Sequence, residues 1–224
     1  MIKHNEKLPI VVLISGRGSN LQSIIDQAAS GELPVDIRAV ISNRPDAAGL
    51  ERARAAGIET AVVDHRDYPG RETFDAALAR CIDRYRPRVV VLAGFMRILT
   101  PGFVRHYRGR LLNIHPSLLP AYRGLNTHQR ALADGARRHG ASVHFVTEEL
   151  DGGPVILQAK VPVHPDDTPE TLAARVLAEE HRLYPAALRL LAEGRIRLDN
   201  GQALLDDRPL ETPLQLDRLT AGAD

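Results

Sequence analysis

Ile10-Val11-Val12-Leu13-Ile14 runs straight into Ser15-Gly16-Arg17-Gly18-Ser19-Asn20. An unbroken apolar run of this length reads as a strand buried on both faces. The Gly-rich turn after it feeds a helix predicted over about residues 20–29. The alternation then repeats, with strands expected at about 37–42, 59–63, 89–93 and 111–114. Between them lie helices at about 46–56, closed by Gly57, and 71–85, ending before Pro87. A short helix starts at Thr100-Pro101, and another covers about 127–134, stopped by Gly135. Strands alternating with helices predict an α/β fold, an open, mostly parallel twisted sheet with helices on both faces.

Beyond residue 140 the pattern changes. Two strands, about 141–147 and 155–163, are joined by Asp151-Gly152-Gly153-Pro154. A long helix starts at Thr168-Pro169 and contains Pro185, which is expected to kink or split it. Asn200-Gly201 within 196–205 signals a type I′ β-hairpin. The last ~15 residues read as a loose tail. The chain is taken as a single domain over 1–224, divided into halves of about 8–110 and 111–205 and a tail of about 210–224.

Composition narrows the class. With 224 residues and 44% apolar side chains the chain can bury a sizeable core. Basic and acidic residues number 29 and 28, so no nucleic-acid or membrane partner is indicated. No apolar stretch approaches a membrane span or a signal segment. The lone Cys81 excludes an internal disulfide and suits a reducing, cytoplasmic setting; it reads as a small core residue.

The first turn has the chemistry of a phosphate cradle, because a helix N-terminus offers free N–H groups and the positive end of its dipole. It is not a dinucleotide fingerprint, since Leu21 occupies the third glycine position and Ser42-Asn43-Arg44 replaces the acid after the second strand. The competing reading is a plain tight turn with a capping box between Ser19 and Gln22. Pattern alone does not separate the two.

Leu111-Leu112-Asn113-Ile114-His115-Pro116 carries the other signal. Residues two apart share a strand face, so Asn113 and His115 project together at the C-terminal end of a parallel strand, where ligands of open α/β sheets bind. An amide can donate to a developing oxyanion and an imidazole can move a proton. A nearby carboxylate favours the imidazolium, and Asp151 is the candidate. The alternative is a strand-end turn residue beside a half-exposed histidine. A metal is not expected: His139 and His144 are five apart across Gly140, His128 and His181 stand isolated, no predicted helix carries a His-x₃-His pair, and no cysteine ligands exist. Asp64-His65-Arg66-Asp67 reads as a solvated loop.

The segments Val11–Asn20 (VVLISGRGSN), Val91–Leu99 (VLAGFMRIL), Leu111–Pro120 (LLNIHPSLLP) and Ser142–Val163 (SVHFVTEELDGGPVILQAKVPV) resemble, in order and spacing, the phosphoribosylglycinamide formyltransferases. The resemblance covers nearly all of 8–205. It implies a Rossmann-like formyltransferase fold with a nucleotide-binding N-terminal half and a folate-binding, catalytic C-terminal half. It implies formyl transfer from 10-formyltetrahydrofolate, as co-substrate and without a metal, to the amine of glycinamide ribonucleotide in purine synthesis. Asn113, His115 and Asp151 match the catalytic trio. Gly18, Ser19, Asn20 and Glu180 match nucleotide-substrate contacts; Arg71, Met96, Arg97, Ile98 and Leu99, together with Thr147, Glu148, Glu149, Leu150 and Asp151, match the folate pocket, as does Asn113. The partners so implied are small molecules, with the chain a monomer or weak homodimer. Two positions depart from the pattern: Asn126 stands where His or Asp is expected, and Leu177 where some relatives carry a polar residue.

The nearest rival is a 10-formyltetrahydrofolate hydrolase, whose relatives carry an N-terminal regulatory domain; only about nine residues precede the first strand here. A transfer-RNA formyltransferase would need a further C-terminal domain and a basic surface. A non-catalytic phosphate- or folate-binding module is the reading from a different class, and the intact trio argues against it.

Overall fold

The structure, a computed structural model, describes residues 6–220. Five parallel strands open it in the expected alternation: β1 (Leu8–Ile14), α1 (Ser19–Ala29), β2 (Val35–Ser42), α2 (Gly49–Ala55), β3 (Thr60–Val62), α3 (Arg71–Asp83), β4 (Val89–Leu92), α4 (Pro101–His106) and β5 (Leu111–His115). Then follow α5 (Thr127–Ala133), β6 (Arg138–Phe145), β7 (Val155–Pro162), α6 (Pro169–Ala192), β8 (Ile196–Asp199), β9 (Gln202–Leu205), β10 (Arg208–Pro209), β11 (Leu214–Gln215) and α7 (Leu216–Thr220). Among the described residues the main sheet has the order β11-β7-β6-β5-β4-β1-β2-β3, and β8 to β10 form a separate antiparallel ribbon. Strands β5, β6 and β7 pair antiparallel, so the sheet is mostly parallel, as predicted.

The apolar runs of the central strands feed two cores. Ile10, Val12 and Ile14 face the side covered by α1 and α6, while Val11 and Leu13 face α3 and α4. Strand β5 obeys the same two-residue period: Leu112 and Ile114 enter the first core and Leu111 the second. Asn113 and His115 therefore fall on the face of Leu111, beyond the cover of the short α4. Helix α6 is tied to the strands carrying this end of the sheet. The buried Tyr184 hydroxyl lies 2.9 Å from the Leu92 carbonyl and 3.2 Å from that of Leu112.

The chain leaves β1 toward β2 and β3, then crosses back to β4 on the other side of β1. The loops after β1 and β4 thus flank the crevice at the switch point, the ligand position of open α/β sheets. Gly18 opens α1 in the left-handed region at φ 71°. A Cβ there would lie 2.7 Å from the Gly49 Cα, so the tight turn and its packing on α2 both require glycine.

Several expectations are corrected. Pro185 does not split the long helix, which is continuous from Pro169 to Ala192. Leu172, Val176, Leu183, Ala187 and Leu188 bury one face on both sides of it, and that burial offsets the roughly 3 kcal/mol a mid-helix proline costs. The C-terminal segment is not loose up to residue 220: β11 pairs with β7, and Leu216 is buried behind it. Residues 221–224 of that expected tail, and 1–5 of the polar N-terminus, lie outside the described residues. β6 starts three residues earlier than expected, since Arg138 and His139 already pair with β7. α2 starts at Gly49 rather than near Asp46. The run expected as a solvated loop is indeed unburied over His65–Asp67 but forms a 3-10 turn, capped by the Asp64 carboxylate accepting from Arg66 N–H. The Asn200-Gly201 turn has both residues at positive φ, as a type I′ hairpin demands.

Candidate active site

Three of the sequence-singled residues meet at the β5 end. Asp151 lies 3.4 Å from His115, Oδ2 to Nδ1, with both side chains only 8% exposed. His115 donates from Nε2 to the Tyr122 carbonyl at 2.9 Å, in the only pattern a carbonyl partner permits. The ring is thus held between a carbonyl at Nε2 and a carboxylate at Nδ1. Asp151 itself adopts φ 48° and accepts from Gly124 N–H at 2.9 Å. Two residues on, the turn has no alternative to glycine, because a Cβ on Gly153 would lie 1.8 Å from the Phe145 carbonyl oxygen.

One member was not singled out. His144, on β6, is the register partner of Asn113. Its Nδ1 donates to the Phe145 carbonyl at 2.9 Å, which leaves Nε2 as an acceptor for the Asn113 amide at 3.2 Å. Burial pushes the His144 pKa down, in keeping with this neutral tautomer. One Asn113 N–H is thereby spent on His144, and the other stays available to a ligand. Asp151 Oδ1 lies 3.8 Å from the same His144 nitrogen. The signal was Ser142-x-His144, the antiparallel counterpart of Asn113-x-His115, and it becomes readable once the β5–β6 register is known.

The Gly-rich turn borders a cavity of about 210 Å³ lined by Ser15 to Asn20, Ala93, Gly94 and Met96. The capping box of the competing reading is absent: Gly18 occupies the cap position without a side-chain bond, and Gln22 pairs instead with Asp26 and Arg52. Ser19 is therefore left half-exposed at the helix N-terminus. Asn20 donates to Glu180 at 2.7 Å across the core, while its Oδ1 has no protein partner. Burial raises the Glu180 carboxyl above its ordinary pKa, and the Asn20 bond opposes the shift. Leu177 sits half-buried one turn before Glu180 on α6.

The expected folate segment forms an exposed apolar rim. Met96 is 73% and Ile98 63% exposed, whereas Leu99 turns inward onto the core. Arg71 is exposed, and its guanidinium donates to the Ile98 carbonyl at 3.0 Å, which ties it to this same segment. Arg97 stacks over Phe74. Across the cleft, Glu148 pairs with Arg105 and Glu149 with Arg123, and Thr147 bonds the Glu149 carbonyl. Leu150 is left exposed between these anchors and Asp151. Asn126 caps α5 in the left-handed region, φ 57°, without a side-chain bond.

The chain's similarities agree with this geometry. A family model described as Formyl transferase matches residues 8–188. The Escherichia coli (strain K12) phosphoribosylglycinamide formyltransferase is 57% identical over 201 residues, 90% of this chain and 95% of that one. The chain belongs to the phosphoribosylglycinamide formyltransferases. Within this family, the solved structure of the phosphoribosylglycinamide formyltransferase from Coxiella burnetii superposes with a TM-score of 0.90 at 55% identity, covering 94% of this chain and 99% of that one. A formyltetrahydrofolate deformylase from Pseudomonas syringae is more distant, at 30% identity and a TM-score of 0.83, covering 89% of this chain and 66% of its own.

The remaining histidines do not gather into a metal site: among the described residues no cluster of three or more His, Cys, Asp or Glu is placed to hold an ion. No helix among them is long and apolar enough to cross a membrane. His128 is not isolated, since its ring meets His139 edge-on at 5.1 Å, and Tyr122 packs on His139 at 5.7 Å. Burial first, then the imidazoles of His128 and His115, pull His139 down to about 4. In the unfolded chain it titrates near its ordinary 6.5, so between these pH values the unfolded state binds the extra proton. Its contribution is complete above about 6.5 and fades as pH falls toward 4, by up to about 3 kcal/mol. The urea midpoint should therefore drop more steeply between pH 7 and 4.5 in the natural protein than in His139→Leu. Parallel pH profiles would contradict this assignment.

Proposed function

We propose that the chain transfers the formyl group of 10-formyltetrahydrofolate to the amine of glycinamide ribonucleotide, giving the formylated product and tetrahydrofolate. The observation that carries this reading is the pairing of Asp151 with His115 on the strand end that also carries the Asn113 amide, itself oriented by His144. The cavity at the α1 N-terminus suits the phosphate, and the Asn20–Glu180 pair suits the polar body of the nucleotide. The exposed Met96, Ile98 and Leu150 suit the flat apolar ring system of a folate.

The amine attacks the formyl carbon, and the carbonyl oxygen becomes an oxyanion. Asn113 donates its free N–H to that oxygen. His115, once its Nε2–H exchanges the Tyr122 carbonyl for the oxyanion, is the second donor. Asp151 balances the imidazolium and passes the amine proton toward N10 of the leaving folate. One oxyanion donor contributes roughly 10²–10³ in rate. Acid–base assistance contributes about 10²–10⁴.

A folate absorbance assay run with and without glycinamide ribonucleotide tests the reading. Turnover should require the ribonucleotide; equal formyl loss without it would make the chain a hydrolase. With both substrates saturating, His115→Ala should lower kcat by about 10² or more. Near-normal turnover would remove His115 from the chemistry. Gly18→Ala, strained by its backbone and by Gly49, should weaken ribonucleotide binding at least about tenfold, ~1.4 kcal/mol, and leave folate binding intact. Unchanged ribonucleotide affinity would place the phosphate elsewhere.

A further inference from the structure

The two loops that line the cavity are anchored separately. On the nucleotide side, Gly49 N–H donates to the Gly16 carbonyl and Arg52 Nε to the Arg17 carbonyl, both at 2.9 Å. On the folate side, Thr100 N–H donates to the buried Asp75 carboxylate at 2.6 Å, and Arg71 holds the Ile98 carbonyl. None of these four bonds joins one loop to the other.

Ser15 makes that connection. It is buried at the C-terminal end of β1, and its hydroxyl oxygen accepts from Met96 N–H at 2.7 Å. The same hydroxyl donates to Asn43 Oδ1 at 2.6 Å, and Asn43 is only 2% exposed at the end of β2. The Asn43 amide nitrogen in turn lies 3.2 Å from His65 Nδ1. The hydroxyl proton is thus committed to Asn43, which aims the oxygen lone pair at Met96. A backbone bond from Ser15 N–H to the Gly94 carbonyl, 3.1 Å, runs beside it. Three neighbouring strand ends, β2, β1 and β4, are joined through one side-chain oxygen.

We propose that Ser15 is a positioning residue, which sets the nucleotide loop and the folate rim in the relative placement that formyl transfer needs. This rests on the proposed function. Each loop keeps its own anchors without Ser15, so each substrate would still bind. What changes is the distance between the bound amine and the formyl carbon, and a displacement of about 1 Å costs roughly 10² in rate.

Steady-state kinetics on Ser15→Ala and Ser15→Thr test this. Turnover is expressed per site counted by calorimetric titration with glycinamide ribonucleotide, so partial unfolding does not imitate the effect. Absence of transfer in the natural protein would sink the proposed function itself, before Ser15 is at issue. Given transfer, Ser15→Ala should lose about tenfold or more in kcat while both KM values stay within about threefold. Ser15→Thr, which keeps the hydroxyl, should recover most of that loss. The proposal is overturned if Ser15→Ala keeps kcat within about twofold, or if the loss falls on KM instead. It is equally overturned if Ser15→Thr binds ribonucleotide normally yet is as slow as Ser15→Ala. An Ser15→Ala preparation with no countable sites would show the hydroxyl holding the fold, and would overturn it too.

Discussion

The Asp151 carboxylate must stay against an imidazole that sits on a different part of the chain, and the turn between β6 and β7 exists in its present form to do this. A positive φ at Asp151, a glycine at 153 that admits the Phe145 carbonyl, and a backbone N–H from Gly124 together fix where the carboxylate points. Nearly sequestered from water, with 8% of its side chain exposed, it interacts with His115 in a medium that screens charge poorly. Without that contact His115 would face only a carbonyl, and nothing nearby would balance a proton on its second nitrogen.

The same economy appears in the sheet. Parity along β5 sends Leu112 and Ile114 inward and puts Asn113 and His115 on the face that α4 does not reach. Antiparallel pairing then sets His144 against Asn113 and Ser142 against His115. Ser142 accepts Leu119 N–H and donates to the Ser117 carbonyl, which steadies the loop that delivers the Tyr122 carbonyl to His115. A single strand register therefore orients two donors, their supports and the loop behind them.

Much of this was readable from the residues. The βα alternation, the N-caps at Thr100 and Thr168, the Asn200-Gly201 hairpin and the face shared by Asn113 and His115 follow from local chemistry. The meeting of Asn20 with Glu180 across 160 positions does not; it depends on how α6 crosses the sheet. His144 was hidden for a related reason: its role comes from cross-strand register, not from its neighbours in sequence. The unbroken helix through Pro185 and the docked C-terminal segment escape local rules, which weigh a proline or a chain end without the burial that overrides them. The resemblance places Arg71 at the folate; that its guanidinium also holds the Ile98 carbonyl is a tertiary contact that no local pattern shows.

The most direct measurement is steady-state turnover of Asp151→Asn with both substrates saturating. The amide keeps an acceptor for Gly124 and nearly the same shape, so the loop stays in place while the charge disappears. The expected result is a kcat lower by about 10² or more with KM values little changed. A kcat within about twofold of the natural protein would mean that the carboxylate against His115 is not part of the chemistry.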